Sequence, residues 1–220
     1  MLEAQEDDPA ALAAWCRAYW FPLFCFACRL RPSQEDAQDL TQAFFEMLLS
    51  RQGLKRVRVE RGKLRSFLLA SMRNFAAEQY RKEQAQRRGG GIRLEDLEAV
   101  AASPLLTREL RTDLSPEREF DRAWARQLLS TVLGGLREAY HTAGKGALFD
   151  ALQGHVTGGD TQDYAAAAQA LGISVPATRY AAFKLRQRYQ EKLRVAIQQT
   201  VATPEEVAEE LHYLRELFAT

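Results

Sequence analysis

Apolar residues recur along this chain at intervals of three and four, the period of helices, and no segment alternates as a paired strand would. Ala10 to Leu30 forms an apolar, aromatic-rich helical segment with Pro22 as a point of bending. Ser33 is placed as the N-cap of a second helix, whose buried stripe is Leu40, Phe44, Met47 and Leu48. Its opposite face carries Asp36, Asp39, Gln42 and Glu46. After the connection GLKRVRVERGK, a third helix spans about Leu64 to Lys82, with Leu64, Leu68 and Phe75 as its apolar stripe and Met72 alongside. Arg65, Arg73, Asn74, Arg81 and Lys82 are expected to point away from that stripe.

Arg87 to Gly91 breaks the pattern, and residues 89–114 mix Gly, Ser, Pro and charge without a period. Ser115-Pro116 opens a new helix running to about Ala139, with Phe120, Trp124, Leu128, Leu129, Val132, Leu133 and Leu136 facing a core. Ala147 to Leu152 continues beyond a Gly-rich bend. Next, Thr161 is placed to cap a short helix, Tyr164 to Leu171, Gly172 supplies a left-handed turn, and Ser174 caps a longer helix with Pro176 in its first turn. Leu171, Ile173, Val175 and Ala168 are expected to lock the pair as a helix-turn-helix. Finally, Thr203-Pro204-Glu205-Glu206 spells a capping box for a terminal helix with Val207, Leu211, Leu214 and Phe218 on one side. The expected fold is all-α: two small helical domains joined by a flexible linker, the second containing the helix-turn-helix. Its boundaries are 1–88, a linker at 89–114, 115–203, and an acidic C-terminal helix at 204–220.

Composition narrows the chemistry. The 220 residues are 46% hydrophobic and 27% charged, enough for real cores. A net charge of +1 gives no global pull toward nucleic acid, so any DNA affinity must be local. The second helix of the helix-turn-helix supplies such a patch: Arg179, Lys184, Arg186, Arg188, Lys192 and Arg194 stand against the single acid Glu191. Cys16, Cys25 and Cys28 include one isolated C-x-x-C in an aromatic helix, which reads as buried reduced thiols, and His141, His155 and His212 are scattered. No metal site and no cofactor are expected. No phosphate loop, nucleophile elbow or apolar carboxylate pair occurs, so an enzyme is not expected. The acidic start MLEAQEDDPA is unlike a secretion signal and no apolar run spans a membrane, which makes a cytoplasmic location the expectation.

An acidic amphipathic helix, a basic helix, a linker and a helix-turn-helix follow in order. Together, SQEDAQDLTQAFFEMLL (33–49), LRSFLLASMRNFAAEQYRK (64–82) and YAAAAQALGISVPATRYAAFKLRQRY (164–189) resemble a bacterial RNA polymerase sigma factor. The similarity is to the extracytoplasmic-function (ECF) group, with regions 2 and 4 only. The terminal stretch looks like a subgroup known from kinase-rich bacteria. The resemblance implies a protein that binds core RNA polymerase and directs promoter recognition and transcription initiation. Asp36, Asp39, Gln42 and Glu46 would face the polymerase. Arg73, Asn74, Gln79, Tyr80, Arg81 and Lys82 would meet the −10 element. Ser174, Ala177, Arg179, Tyr180, Phe183 and Lys184 would read the −35 element, with Arg186 and Arg188 on phosphates.

Departures from the family pattern are Gln38, Thr41 and Ala43 on the polymerase-facing helix, and Thr178, Ala181 and Ala182 on the recognition helix. The polar Thr41 is a candidate phosphorylation site that would restore negative charge there. Implied partners are core RNA polymerase and promoter DNA, with an anti-sigma factor or a Ser/Thr kinase as regulatory candidates. Plainer roles exist for some residues: Asp36 and Asp39 also complement a helix dipole, and Tyr80 stands between core and surface roles. The terminal helix either only caps the second domain's core or shields the recognition helix with its Glu-rich face. A polymerase-independent helix-turn-helix regulator is the alternative, and it leaves the first domain's two helices without a purpose.

Overall fold

The computed structural model describes residues 9–50, 63–88, 115–156 and 163–218. The expected linker at 89–114, the connection ahead of Lys63 and the Thr161 cap lie outside the described residues. Among those described there is no strand. The fold is all-α, and its helices are α1 (Pro9–Leu30), α2 (Gln34–Leu49), α3 (Leu64–Arg88), α4 (Pro116–Thr142), α5 (Gly146–Leu152), α6 (Tyr164–Leu171), α7 (Val175–Gln198) and α8 (Pro204–Phe218). A short 3-10 turn, Gln153–His155, follows α5. The chain divides into two compact units: residues 1–127 with 200–220, and residues 128–199. The division at 127 falls inside α4.

In the first unit, α1, α2 and α3 pack against one another. Ser33 starts α2 as expected, its hydroxyl accepting from the Asp36 N–H at 3.1 Å while donating to the Asp36 carboxylate at 2.6 Å. Leu40, Phe44 and Leu48 are buried, along with Leu64, Leu68 and Met72 from α3 and Leu23 and Phe26 from α1. Phe44 and Phe75 meet edge to face at 5.8 Å, and Trp20 stacks on Phe45 at 5.2 Å. The α4 start is capped by the Ser115 hydroxyl, which accepts from the Arg118 N–H, and it buries Phe120 and Trp124.

Two expectations fail in this unit for one reason. Arg65 does not point to solvent: it is 9% exposed, and both edges of its guanidinium are occupied. Its Nε and Nη2 donate to the Glu210 carboxylate of α8 at 3.2 and 3.1 Å, and Nη1 donates to Asp121 of α4. Tyr213 Oη donates to the other Asp121 oxygen, and the guanidinium lies over the Trp124 and Tyr213 rings at 5.0 and 4.6 Å. Lys63 adds 3.0 and 3.2 Å bridges to Glu209 and Glu210, and the Leu64 N–H donates to the Thr200 carbonyl. Consequently α8 buries Val207, Glu210, Leu214 and Leu217, whereas Phe218 is 47% exposed and Leu211 half-buried. The true stripe runs 207, 210, 214, 217, with a carboxylate at 1% exposure in it. Burial pulls the Arg65 guanidinium down in pKa, but the Glu210 hydrogen bonds and the Asp121 charge outweigh it and the net shift is upward. The capping box forms: the Glu206 carboxylate accepts from the N–H groups of Ala202 and Thr203, and the Thr203 hydroxyl accepts from the Glu206 N–H.

The second unit buries Val132, Leu136 and Tyr140 of α4, Phe149 and Leu152 of α5, Ala168 of α6, and Ala182, Leu185, Leu193 and Ile197 of α7. Between α6 and α7, Gly172 takes φ +64° and Ser174 accepts from the Ala177 N–H, as expected for a tight turn. The α6 cap is Asp163, whose carboxylate accepts from the Ala165 N–H at 2.8 Å. An acidic side chain directly ahead of the first helical residue does the work assigned to Thr161. Ile173 is 39% exposed, and Leu171 and Val175 are half-buried. The buried small residues of the two packed helices are instead Ala168 on α6 and Thr178 and Ala182 on α7. Thr178 is fully buried, and its hydroxyl is satisfied by donating to the Ser174 carbonyl at 3.1 Å.

Candidate polymerase and nucleic-acid interfaces

In the first unit a groove of about 410 Å³ opens between the end of α1, the first turns of α2 and the far end of α3. Asp36, Asp39 and Ala43 come from α2, spaced three and four residues apart on one face, and Gln79, Tyr80 and Glu83 come from α3. Arg31 braces it with a bidentate pair to Glu83, both contacts at 2.9 Å. Two residue sets expected to have different partners therefore share one depression, with acids on one wall and an amide and a phenol on the other. Tyr80 is half-buried, and its hydroxyl accepts from the Gln84 amide at 3.0 Å. Asp36 is engaged in its own N-cap, whereas Gln42 and Glu46 lie beyond the groove and bond to each other at 3.0 Å. Arg73, Asn74, Arg81 and Lys82 are exposed on α3. Lys82 pairs with Glu78 at 2.8 Å, and that contact holds the exposed Glu78 carboxyl below its usual range.

Thr41 is fully buried, and its hydroxyl donates to the Ala37 carbonyl at 2.7 Å. A kinase reaches that oxygen only if α2 opens first.

In the second unit, Ser174, Ala177, Arg179, Tyr180, Phe183, Lys184, Arg186 and Arg188 are all exposed on α7 or at its cap. The helix turns Thr178, Ala182, Leu185, Tyr189, Leu193 and Ile197 inward, at the three–four spacing that leaves the cations outside. Tyr180 is 63% exposed and Phe183 is largely exposed too, which puts two aromatic rings among positive charges. Arg188 is the most constrained: it donates to Tyr140 Oη at 3.0 Å and lies over that ring at 5.4 Å. Lys184 lies near Tyr180 and donates to Gln187 at 3.4 Å.

No group of three or more His, Cys, Asp or Glu among the described residues is placed to hold a metal ion. The three cysteines are free and half-buried. Burial pushes the Cys25 thiol up to about 11, with the Cys28 charge adding to it, so it is a poor nucleophile near neutrality. No described helix is long and apolar enough to cross a membrane.

Residues 22–86 match the family model of Sigma-70 region 2. The match begins within α1 and takes in α2 and nearly all of α3, so both walls of the groove lie inside the matched segment. It supports a sigma-factor role in RNA polymerase binding and promoter melting. No curated protein and no solved structure gives a significant match to the chain. Sequence reasoning missed the Arg65–Asp121–Glu210 node, in which Arg65 lies inside the matched segment and the two acids outside it. Its signal was present: Arg65 stands seven residues before Met72, and Glu210 falls between Val207 and Leu214. Opposite charges at core positions of two helices are a pairing signal.

Proposed function

We propose that the chain is a dissociable transcription-initiation subunit of the ECF kind. It binds core RNA polymerase and brings two DNA-reading surfaces to a promoter. The observation that carries this reading is the region 2 match over the segment that holds the acidic α2 face and the polar and aromatic end of α3. Asp36 and Asp39, with Gln42 and Glu46 further along α2, form the polymerase-facing strip, where negative charge suits a basic partner. Arg73, Arg81 and Lys82 anchor the DNA backbone at the −10 element, while Asn74, Gln79 and Tyr80 meet unstacked bases.

The second surface is α6–turn–α7, taken as a region 4 helix-turn-helix. A helix with seven exposed contact residues beyond its Ser174 cap, and a cation row on one side, fits a major groove, with Arg186 and Arg188 on phosphates. Two modest DNA contacts held by one polymerase gain in effective concentration what each lacks alone, which accounts for a DNA-acting protein with a net charge of +1. A polymerase-independent regulator would use only the second surface and leaves the region 2 match without a role.

The test is co-purification with bacterial core RNA polymerase. Stoichiometric binding by the wild type, lost in Asp36→Lys/Asp39→Lys, supports the proposal; failure of the wild type to bind refutes it.

A further inference from the structure

The cations of α7 are not held alike. Arg188 spends a donor on Tyr140 and Lys184 spends one on Gln187, whereas Arg179 makes no hydrogen bond or ion pair to any described residue. Its guanidinium is instead placed over the Tyr164 ring, 5.6 Å from the centroid. That ring is itself fixed. Tyr164 is the first residue of α6, and the His155 imidazole lies parallel to it at 4.3 Å with only 4° between planes. His155 is 7% exposed and its Nε2 has no hydrogen-bond partner among the described residues, so packing against the tyrosine ring is the contact that orients it there.

We infer that Tyr164, held flat by His155, is a positioning residue that presents the Arg179 guanidinium to a guanine edge in the −35 DNA. This rests on the reading of α7 as the helix that enters the groove. A face-on contact with a π system restrains a long side chain while leaving its N–H donors unused. The free fork then matches the paired acceptors O6 and N7 of guanine, a pattern that other bases do not offer. Arg179 also lies near the N-terminus of α7, the part of a recognition helix that approaches base edges. Tyr164 touches no DNA in this scheme; it lowers the disorder that Arg179 loses on binding.

The experiment uses the full chain assembled with core RNA polymerase and a DNA pool randomised across the upstream element. It compares wild type, Arg179→Ala, Tyr164→Phe, Tyr164→Leu and the Tyr164→Leu/Arg179→Ala pair. The wild type selects guanine at one position, and Arg179→Ala lowers that preference by roughly five- to a hundredfold. Tyr164→Leu loses most of the same preference, Tyr164→Phe keeps it, and the pair is no worse than Arg179→Ala alone. A Tyr164→Leu protein that retains the guanine preference, or whose loss adds to that of Arg179→Ala, overturns the inference. Arg179→Ala with every base preference intact removes the assignment of α7 at this residue, a distinct failure that takes the inference with it. Should Tyr164→Leu unfold the second unit, the Arg179 Cδ protons of the wild type decide the matter. A ring-current displacement relative to Arg186 supports the contact, and coincident shifts overturn it.

Discussion

The two units use arginine in opposite ways. In the first, Arg65 is enclosed by Glu210, Asp121 and two aromatic rings, and joins α3, α4 and α8 in one node. In the second, α7 keeps its core face apolar or small and leaves Arg179 and Arg186 outside with no carboxylate partner among the described residues. A buried guanidinium must be matched with acceptors, because desolvation costs several kcal/mol per ion otherwise. An exposed one costs little and stays available for phosphate or base. The first arrangement builds a scaffold, and the second builds a contact surface.

That contrast breaks first at Glu210. Glu210→Gln leaves Arg65 half-paired in a dry site, and the expected loss is about 3–5 kcal/mol of first-unit stability, measured by denaturant unfolding. Arg186→Ala, a substitution of the same kind of residue on α7, should change stability by less than about 0.5 kcal/mol. Equal effects of the two would erase the distinction. Deleting residues 200–220 should act like Glu210→Gln and weaken polymerase binding, since it strips both Glu209 and Glu210 from the node.

Thr41→Glu comes next. Because the Thr41 side chain is fully buried and bonded within α2, a carboxylate there is larger than the residue it replaces and is taken out of water. The expected cost is on the order of 3 kcal/mol, with polymerase affinity reduced through unfolding and not raised by the added charge. A stable Thr41→Glu protein with tighter polymerase binding would return this position to regulation.

A smaller effect is expected at Gly172. No neighbour lies within 4 Å of a Cβ built there, so Gly172→Ala meets no clash and costs only the strain of φ +64°. About 1 kcal/mol is expected, confined to the second unit and visible as a lower melting temperature.

The least effect is a matter of pH. Burial, then the Asp121 contact, pushes the Tyr213 hydroxyl up to about 12 from 10.0. The unfolded chain releases this proton first, so the contribution is complete below pH 10 and is lost as pH rises toward 12. In Tyr213→Phe the alkaline decline of first-unit stability should be shallower; an unchanged profile would remove Tyr213 from the node.

What was legible in the sequence was local. Ser33, Ser115, Ser174, Gly172 and the Thr203–Glu206 box each act within four residues of where they stand, and each forms as its neighbours dictate. The stripes of α2 and α3 were legible for the same reason. The bond from Arg65 to Glu210 spans 145 positions: each charge sits at a core position of its own helix, but the period of one helix does not say which other helix supplies the partner. A periodic reading that counts only apolar residues skips a charge at a core position, which is how Phe218 came to stand in for Leu217. At the interfaces, exposure of the α7 cations followed from their density, while the shared groove of Asp36, Asp39, Gln79 and Tyr80 depended on how α2 and α3 meet.

Transcription by purified core RNA polymerase on genomic fragments tests the central claim most directly. Addition of the wild-type chain should produce discrete new 5′ ends that Asp36→Lys/Asp39→Lys does not produce. No new starts, together with binding of the chain to those fragments without polymerase, would contradict the account and identify an independent regulator.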